Sequence, residues 1–193
     1  MVGVSISKEQ VEFAQKLCKD LPVEIRFQDY RDLLNSNTRF DRIVSVGMFE
    51  HVGFKNYRTY MQTVFHVLKS DGLFLLHTIG SNRSSTATTR WINTYIFPNG
   101  QIPSVQQIGS SIEKIFVLED WHNFGAYYDK TLMAWHRNFS DNWDKLKHKY
   151  DERFRRMWNY YLLSCAANFR VRNMQVWQMV LSKRGAVSVY KRP

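Results

Sequence analysis

The sequence has few cysteines and prolines, and it lacks any long apolar run. Only two cysteines, Cys18 and Cys165, and four prolines occur among 193 residues. Two thiols are too few for a disulfide framework or a zinc site built of thiolates, so we expect a reducing, cytoplasmic environment. The longest apolar runs, such as 73–76, fall far short of the roughly 20 residues that a membrane-spanning helix needs. The first residues also lack the basic and apolar regions of a signal peptide.

Several catalytic signatures are absent as well. Neither a Gly-x-Gly-x-x-Gly sequence nor a Walker A sequence occurs, so the chain has no glycine-rich phosphate loop. The pair Glu50-His51 is not followed by a second histidine at helical spacing, and we therefore predict no metal site. No serine lies in a Gly-x-Ser-x-Gly elbow, which argues against a hydrolase of the Ser–His–Asp type.

The positive charge is concentrated in the last third of the chain. Residues 1–129 contain 13 basic and 13 acidic side chains, whereas residues 130–193 contain 14 basic and 4 acidic ones. The second segment therefore carries the whole net charge of +10. Such a segment favours an anionic partner, such as phospholipid headgroups or nucleic acid. A solvated basic face that only keeps the protein soluble is the simpler alternative.

Hydrophobic periodicity predicts one α/β domain. A composition of 44% hydrophobic and 15% aromatic residues excludes intrinsic disorder. Ser7 and Gln10 form a capping box for a helix that runs to about residue 19. Strands are predicted at 23–28, with Val23, Ile25 and Phe27 inward, at 40–46 (buried) and at 73–78. A helix is predicted over 57–68, with one apolar face formed by Tyr57, Tyr60, Met61, Val64 and Leu68. Strands that alternate with helices predict a doubly wound α/β fold with a parallel sheet.

The second half is predicted to be mainly helical. Residues 81–103 are rich in Ser, Thr and Asn but carry large aromatics, which indicates an ordered loop or lid. A helix over 105–115, a strand over 116–119, two helices over 127–149 and 151–169 and a closing strand over 174–181 follow. The helix over 151–169 has one apolar stripe, formed by Phe154, Met157, Trp158, Tyr161, Leu162 and Cys165. We divide the chain into a cofactor-side half (1–80), lid and channel helices (81–172) and a closing strand region (173–190).

Polar residues follow three of the predicted strands, at 28–30, 47–53 and 77–80. In open α/β sheets, ligands bind at the carboxyl ends of the strands, so these segments are candidate site residues. Taken singly, each residue has an ordinary explanation. Glu50 could cap the following helix, and His77 could be a structural histidine.

Together, these segments resemble cyclopropane-fatty-acyl-phospholipid synthases, over about residues 3–182. The resemblance is carried by the sequences at 46–53 (VGMFEHVG), 74–80 (FLLHTIG), 95–100 (YIFPNG), 119–125 (EDWHNFG), 130–135 (KTLMAW) and 153–162 (RFRRMWNYYL). It implies a Rossmann-like fold that binds S-adenosylmethionine and carries a helical lipid-binding insertion. It also implies transfer of a methylene group from this cofactor to the cis double bond of a phospholipid acyl chain.

The resemblance further implies a bound bicarbonate as the general base. Glu50 would accept the bicarbonate hydroxyl, His77 and Tyr128 would donate to its oxygens, and the Ile79 backbone would add a further bond. Cys165 corresponds to an active-site cysteine, and we interpret it as a lining residue rather than a nucleophile. Without the resemblance, Tyr128 would be interpreted as a packed surface tyrosine. Six aromatics are candidates for the wall of an acyl channel: Trp121, Phe124, Trp135, Phe139, Trp158 and Tyr161.

The cofactor contacts follow from the same resemblance. Three groups of residues correspond to segments beside the cofactor: Ser5, Ile6 and Gln10; Gln28, Asp29 and Tyr30; and Val46. Asp29 could instead be an ordinary turn residue. The family's glycine-rich cofactor loop and N-terminal domain would lie upstream of Val2, so we expect a family fragment with an exposed apolar sheet edge or face.

Two other functions stay open on the sequence alone. One is an amine N-methyltransferase of the coclaurine type, which shares the Glu–His framework but needs no acyl channel. The other is an inactive remnant or a basic binding module. We predict unsaturated phospholipid and an anionic inner membrane surface as partners and no nucleic acid, with a homodimer left open. Aromatics that bind nucleic acid should be exposed among basic residues, whereas these are predicted on helix faces opposite the arginines.

Overall fold

The computed structural model describes residues 1–185 and 190–192. Residues 186–189, part of the predicted closing strand region 173–190, lie outside the described residues. The strands are β1 (Val2–Ser5), β2 (Glu24–Phe27), β3 (Phe40–Val46), β4 (Leu68–Ser81), β5 (Phe116–Asn123) and β6 (Met174–Lys183). The helices are α1 (Lys8–Leu17), α2 (Phe49–Val52), α3 (Tyr57–Val67), α4 (Arg90–Tyr95), α5 (Val105–Ile112), α6 (Gly125–Asp141), α7 (Trp143–Leu146) and α8 (Glu152–Arg170), with 3-10 turns at Tyr30–Asn35 and Phe54–Asn56.

The strands form two sheets. β1 and β2 pair in parallel as a two-stranded sheet, and the other four strands form a sheet of order β3-β4-β6-β5. In the larger sheet β3 and β4 are parallel, but β6 is antiparallel to both β4 and β5. The α/β prediction is confirmed. The prediction of a parallel sheet is wrong for β6, which follows α8 and enters between β4 and β5 from the opposite end.

One face of the larger sheet packs against α3 and α5. Phe74 and Leu76 of β4 are fully buried there, with Met61 of α3 and Ile108 of α5. The predicted face of α3 is confirmed, since Tyr57, Tyr60, Met61, Val64 and the following Leu68 are all buried. This cluster fixes the carboxyl end of β4, where the candidate site lies.

A second cluster lies between α6, α8 and β6. Leu132 of α6 packs with Leu162 and Phe169 of α8 and with Val176 of β6, each about 1% exposed. The helix predicted over 127–149 is interrupted at Asn142, where α6 ends and the short α7 begins. The two clusters thus cover different parts of the sheet, and the candidate site lies where they meet.

Strand β3 is not buried, contrary to the prediction. Val44 and Val46 are 63% and 64% exposed, because the strand face that carries both side chains is open to solvent, whereas Ser45 on the other face is buried. Phe27 of β2, predicted to point inward, is 64% exposed. The apolar sheet edge that we expected is therefore present along β3.

The capping of α1 is partly as predicted. The Ser7 hydroxyl accepts a hydrogen bond from the Gln10 N–H at 3.4 Å, as predicted. The Gln10 side chain does not return to Ser7. Its Oε1 accepts from the Ser5 hydroxyl at 3.1 Å, and the same hydroxyl accepts from the Ser7 N–H at 3.2 Å. Ser5 therefore supplies the second half of the cap.

Candidate active site

A left-handed glycine ends β3 and brings Glu50 to the sheet. Gly47 has φ +64°, a conformation that strains any side-chain-bearing residue, and its N–H donates to the His77 carbonyl at 3.1 Å. The chain then enters the four-residue helix α2, which is anchored by Phe49, fully buried and stacked on Tyr57 at 4.2 Å between ring centroids. Glu50 follows Phe49 and is thereby directed at β4.

Glu50 completes the hydrogen bonding of β4 where β3 stops. The last register pair of the two strands is Val46 with His77. Two residues further along β4, the Ile79 N–H donates to Glu50 Oε1 at 2.7 Å, in place of a strand carbonyl. Glu50 makes no capping bond to α2, so its interpretation as a helix cap is wrong. The carboxylate is held by the sheet instead.

The second oxygen of Glu50 has no partner among the described residues. Glu50 Oε2 is buried, and no described donor hydrogen-bonds to it. A buried carboxylate oxygen without a donor costs free energy, so such atoms are uncommon in stable folds. This oxygen is an available acceptor for a ligand that carries a hydroxyl or another donor.

His77 is oriented by a residue of β6. The two residues are register partners, and Gln178 Nε2 lies 3.2 Å from His77 Nδ1. With this assigned amide orientation Nδ1 accepts, so the proton of the neutral ring is on Nε2. His77 is then a donor. Gln178 was not predicted as a site residue. A polar glutamine between Val176 and Val180, on an otherwise apolar strand face, was the feature of the sequence that indicated it.

Tyr128 lies within electrostatic reach of Glu50 and Cys165. Burial, followed by the Glu50 carboxylate and then Cys165, raises the pKa of Tyr128. The Tyr128 ring packs edge-on against Phe169 at 5.0 Å between centroids. The phenol is therefore a neutral donor at neutral pH. Glu50, Ile79, Tyr128 and Cys165 come from four different elements, and the fold brings them to one region.

Cys165 has the properties of a lining residue. It is half-buried on α8, and burial raises the pKa of its thiol to about 11. A nucleophilic cysteine needs a lowered pKa, so this thiol is protonated and unreactive at neutral pH. One turn earlier on the same helix, burial first, then Cys165 and Tyr128, raise the pKa of Tyr161 to about 12.

Aromatic side chains continue from Tyr161 along α8. Tyr161 contacts Trp158 at 5.1 Å, and Trp158 contacts Phe139 of α6 at 6.5 Å between ring centroids. Of the six predicted channel aromatics, Trp121 lies elsewhere, packed against Trp177 in the first cluster. Trp135 is 45% exposed, but it packs edge-on against the Tyr128 ring at 5.9 Å between centroids and so lies beside the site. The aromatic wall beside the site is thus narrower than predicted.

The predicted cofactor residues lie at the carboxyl ends of β1, β2 and β3. Ile6 and Val46 are 71% and 64% exposed there, and Gln28 N–H donates to the Ser5 carbonyl at 3.1 Å. Asp29 caps the following 3-10 turn and binds Arg31 through both carboxylate oxygens, which lowers its pKa. Tyr30 packs edge-on against Tyr60 at 5.2 Å. Asp29 and Tyr30 therefore have structural contacts in addition to any ligand contact.

Within residues 1–185 and 190–192, no group of three or more His, Cys, Asp and Glu side chains could hold a metal ion. None of the helices in this part of the chain is both long and apolar enough to cross a membrane.

Comparisons with known proteins agree on one family. The profile of the family described as mycolic acid cyclopropane synthetase matches residues 1–179. The cyclopropane-fatty-acyl-phospholipid synthase of Escherichia coli (strain K12) is 57% identical over 183 residues, which are 95% of this chain and 47% of that protein. The chain thus spans about half the length of this relative.

Solved structures show the same fold. A cyclopropane synthase of Mycobacterium tuberculosis aligns with a TM-score of 0.84 and 28% identity, over 94% of this chain and 69% of that one. A mycolic acid cyclopropane synthase complexed with SAH and CTAB aligns with a TM-score of 0.83 and 26% identity, over the same shares. The fold, the sequence identity and the profile match together show that this chain belongs to the cyclopropane synthetase family of S-adenosylmethionine-dependent methyltransferases.

Proposed function

We propose that the protein transfers a methylene group from S-adenosylmethionine to the cis double bond of a phospholipid acyl chain, with bicarbonate as the base. The observation that carries this proposal is the buried, unpartnered Oε2 of Glu50. This acceptor lies in the same region as the neutral phenol of Tyr128. The full-length relative of 57% identity is named for this chemistry.

Bicarbonate fits the donors and acceptors that are present. It carries one hydroxyl, which needs an acceptor, and further oxygens, which need donors. Glu50 Oε2 would accept from the hydroxyl, while Tyr128 and His77 would donate to the other oxygens. A bond from the Ile79 backbone to bicarbonate was also predicted, and it stays a prediction. The Ile79 N–H donates to Glu50 in this structure, so it would have to be shared with bicarbonate.

Each residue would then have one task. Glu50 holds the base in one orientation, and its own position is fixed by the Ile79 N–H. Gln178 keeps the His77 proton on Nε2, and the fully buried Phe169 supports the Tyr128 ring. When bound, S-adenosylmethionine supplies an electrophilic methyl group and bicarbonate accepts a proton. The protonated Cys165 excludes water without competing as a nucleophile.

The cofactor would bind across the carboxyl ends of β1, β2 and β3. The exposed apolar side chains of Ile6 and Val46 offer a surface for the adenosyl group. Gln28, Gln10 and Ser5 supply polar groups, and Asp29 keeps free lone pairs beside its bond to Arg31. A position at the carboxyl ends of strands is the usual one for a ligand in an open α/β fold.

The acyl chain would lie along the aromatic wall of α6 and α8. Alignment of an alkene with a methyl donor needs a dry site, because an alkene is a weak nucleophile. Tyr161, Trp158 and Phe139 provide such a surface next to Cys165. Their ring faces can also stabilise the positive charge that methyl addition leaves on carbon.

A labelled cofactor tests the proposal. The chain is incubated with S-adenosylmethionine that carries a ¹³C methyl group and with vesicles of dioleoylphosphatidylglycerol and dioleoylphosphatidylethanolamine. We expect lipids enlarged by one CH₂, with the label in the acyl chain by tandem mass spectrometry. The matched pair Glu50→Gln and Glu113→Gln separates site from charge, since Glu113 is exposed. We expect loss of product only in Glu50→Gln, by about a hundredfold or more.

The position of the label discriminates between the functions. A label on the ethanolamine nitrogen would replace the proposal with amine N-methylation. Absence of product together with absence of heat on titration with S-adenosylmethionine would favour an inactive remnant. The exposed apolar side chains of β3 would be consistent with that outcome. Equal product formation by Glu50→Gln and the parent chain would refute the role assigned to Glu50.

A further inference from the structure

A polar cavity lies next to the candidate active site. It has a volume of about 490 Å³, within the roughly 300–1,000 Å³ typical of small-molecule sites. Its walls are the loop after β4 and the end of α8, and they present hydroxyl, amide and guanidinium groups. The lining residues are Ser81, Asn82, Arg83, Ser85, Ala87, Thr88, Thr89, Ile102, Asn168, Arg172, Asn173 and Met174.

The cavity is close to the reacting groups but does not include them. Ser81 is two residues beyond Ile79 on β4, about 7 Å along the strand, and its register partner is Met174. Asn168 is three residues after Cys165 on α8, so the two lie on the same side of the helix. Neither Glu50, His77 nor Tyr128 lines the cavity.

The cavity is basic, and its charges are not neutralised. Arg83 and Arg172 both line it, and the lining contains no Asp or Glu. Within residues 1–185 and 190–192, neither guanidinium makes a hydrogen bond or an ion pair, whereas Arg31 and Arg170 both bind carboxylates. Two unpaired guanidinium groups beside one cavity form a site for an anion.

Three buried glutamines hold the backbone of both walls. Gln101 and Gln107, 8% and 7% exposed, donate from Nε2 to the Ser85 carbonyl at 2.9 and 3.0 Å. Gln175, 2% exposed, donates to the Arg172 carbonyl at 2.8 Å. The backbone that carries the arginines is therefore fixed before a ligand binds, which lowers the entropic cost of binding.

We propose that this cavity binds the phosphodiester group of a glycerophospholipid, with Arg83 and Arg172 as its cationic ligands. Guanidinium groups bind phosphate oxygens in a bidentate manner, and the Thr88 and Asn173 side chains add neutral hydrogen-bond donors. The ligand class rests on the proposed function, because a lipid substrate brings a phosphodiester near an acyl site. The headgroup would lie in this cavity beyond the end of β4, with the acyl chain directed along α8.

Phosphorus NMR tests the site without cofactor or turnover. The chain is titrated with dihexanoylphosphatidylglycerol below its micelle concentration and, separately, with inorganic phosphate, and the ³¹P line width is followed. The variants are Arg83→Gln, the double variant Arg83→Gln/Arg172→Gln, and the control Arg153→Gln. Arg153 is exposed on α8 and does not line the cavity, so the control has the charge change of the single variant.

We expect the parent chain to broaden the diester resonance. The affinity obtained from this titration should fall by about tenfold for each arginine removed and should be unchanged in Arg153→Gln. Three results would overturn the proposal: no binding of the diester, binding that is equal in all variants, or binding of inorganic phosphate alone. If the double variant unfolds, the single variant Arg83→Gln still tests the proposal, because Arg83 lies in an exposed loop where the substitution should not disturb folding. Absence of methylene transfer would leave this titration unaffected, so the two proposals fail separately.

Discussion

Glu50 shows how one side chain joins the fold to the site. One carboxylate oxygen completes the hydrogen bonding of β4, and the other is buried without a partner in the described chain. The local sequence favoured a capping role for this residue, because glutamate in the first turn stabilises the start of a helix. The structure differs because β3 ends at Val46 and leaves the Ile79 N–H for Glu50.

Cys165 should make the protein less stable at alkaline pH. The pKa of its thiol is about 11 in the folded state, against the ordinary value of 9.0. Above about pH 9 the unfolded chain releases this proton while the folded chain retains it. The stabilising contribution is therefore fully present below pH 9 and is lost as the pH rises towards 11. The free energy of unfolding in urea, measured between pH 8 and 11, should decline in this window.

The variant Cys165→Ala isolates this effect from other groups. It removes the titrating thiol, so the decline between pH 9 and 11 should be shallower than in the parent chain. Ser164→Ala, a neighbouring change on α8 without an ionisable group, should retain the parent slope. Identical slopes for Cys165→Ala and the parent would show that this thiol does not titrate with a raised pKa.

At the scale of elements, α8 follows its sequence closely. The predicted apolar stripe includes Leu162, which is 1% exposed, whereas the adjacent Leu163 is 42% exposed. We expect Leu162→Ala to lower the free energy of unfolding by about 2–5 kcal/mol, because it opens a cavity against α6. Leu163→Ala, the same change on the other face, should cost about 0.5 kcal/mol or less.

Denaturation in urea of both variants checks the packing of α8 against α6. A larger loss for Leu163→Ala than for Leu162→Ala would mean that the buried face of α8 is the opposite one. Retained helix content of both variants in far-ultraviolet circular dichroism is the control for their fold.

The limits of strands and helices were more predictable than their burial. The bounds of β3 and nearly all of α3 follow from the sequence, since periodicity is a local property. The exposure of Val44 and Val46 is not local, because it depends on whether another element packs on that face of β3. An apolar strand has the same sequence pattern whether its faces are covered or exposed.

At the scale of the whole molecule, the sheet topology and the site depend on distant contacts. The antiparallel direction of β6 is set by the path of the chain through α8, which no short motif encodes. Glu50 and Tyr128 are far apart in the chain, and only the resemblance to a family placed them together. Gln178 was missed because its partner, His77, is 101 residues away.

The charge distribution predicts binding to anionic membranes that depends on salt. Arg156 is exposed on α8, and Tyr160 and Leu163 of the same helix are 58% and 42% exposed. Near an anionic surface each such charge contributes about 1 kcal/mol, and this attraction weakens as the Debye length shortens. We expect cosedimentation with phosphatidylglycerol vesicles to decrease from low to high salt, with an earlier loss in Arg156→Gln.

Neutral phosphatidylcholine vesicles are the control for this experiment. Equal binding to both kinds of vesicle, or binding that salt does not change, would assign the positive charge to solubility alone.

The convergence of a carboxylate, an imidazole and a phenol on one small oxyanion is tested most directly by ¹³C NMR of labelled bicarbonate. Addition of the chain should broaden the bicarbonate resonance, and Tyr128→Phe should abolish most of this broadening. Tyr127→Phe is the matched control, since Tyr127 is the adjacent residue and is 63% exposed. Broadening in the parent and in Tyr127→Phe but not in Tyr128→Phe is the predicted result. No broadening by the parent chain, or equal broadening by both variants, would contradict it.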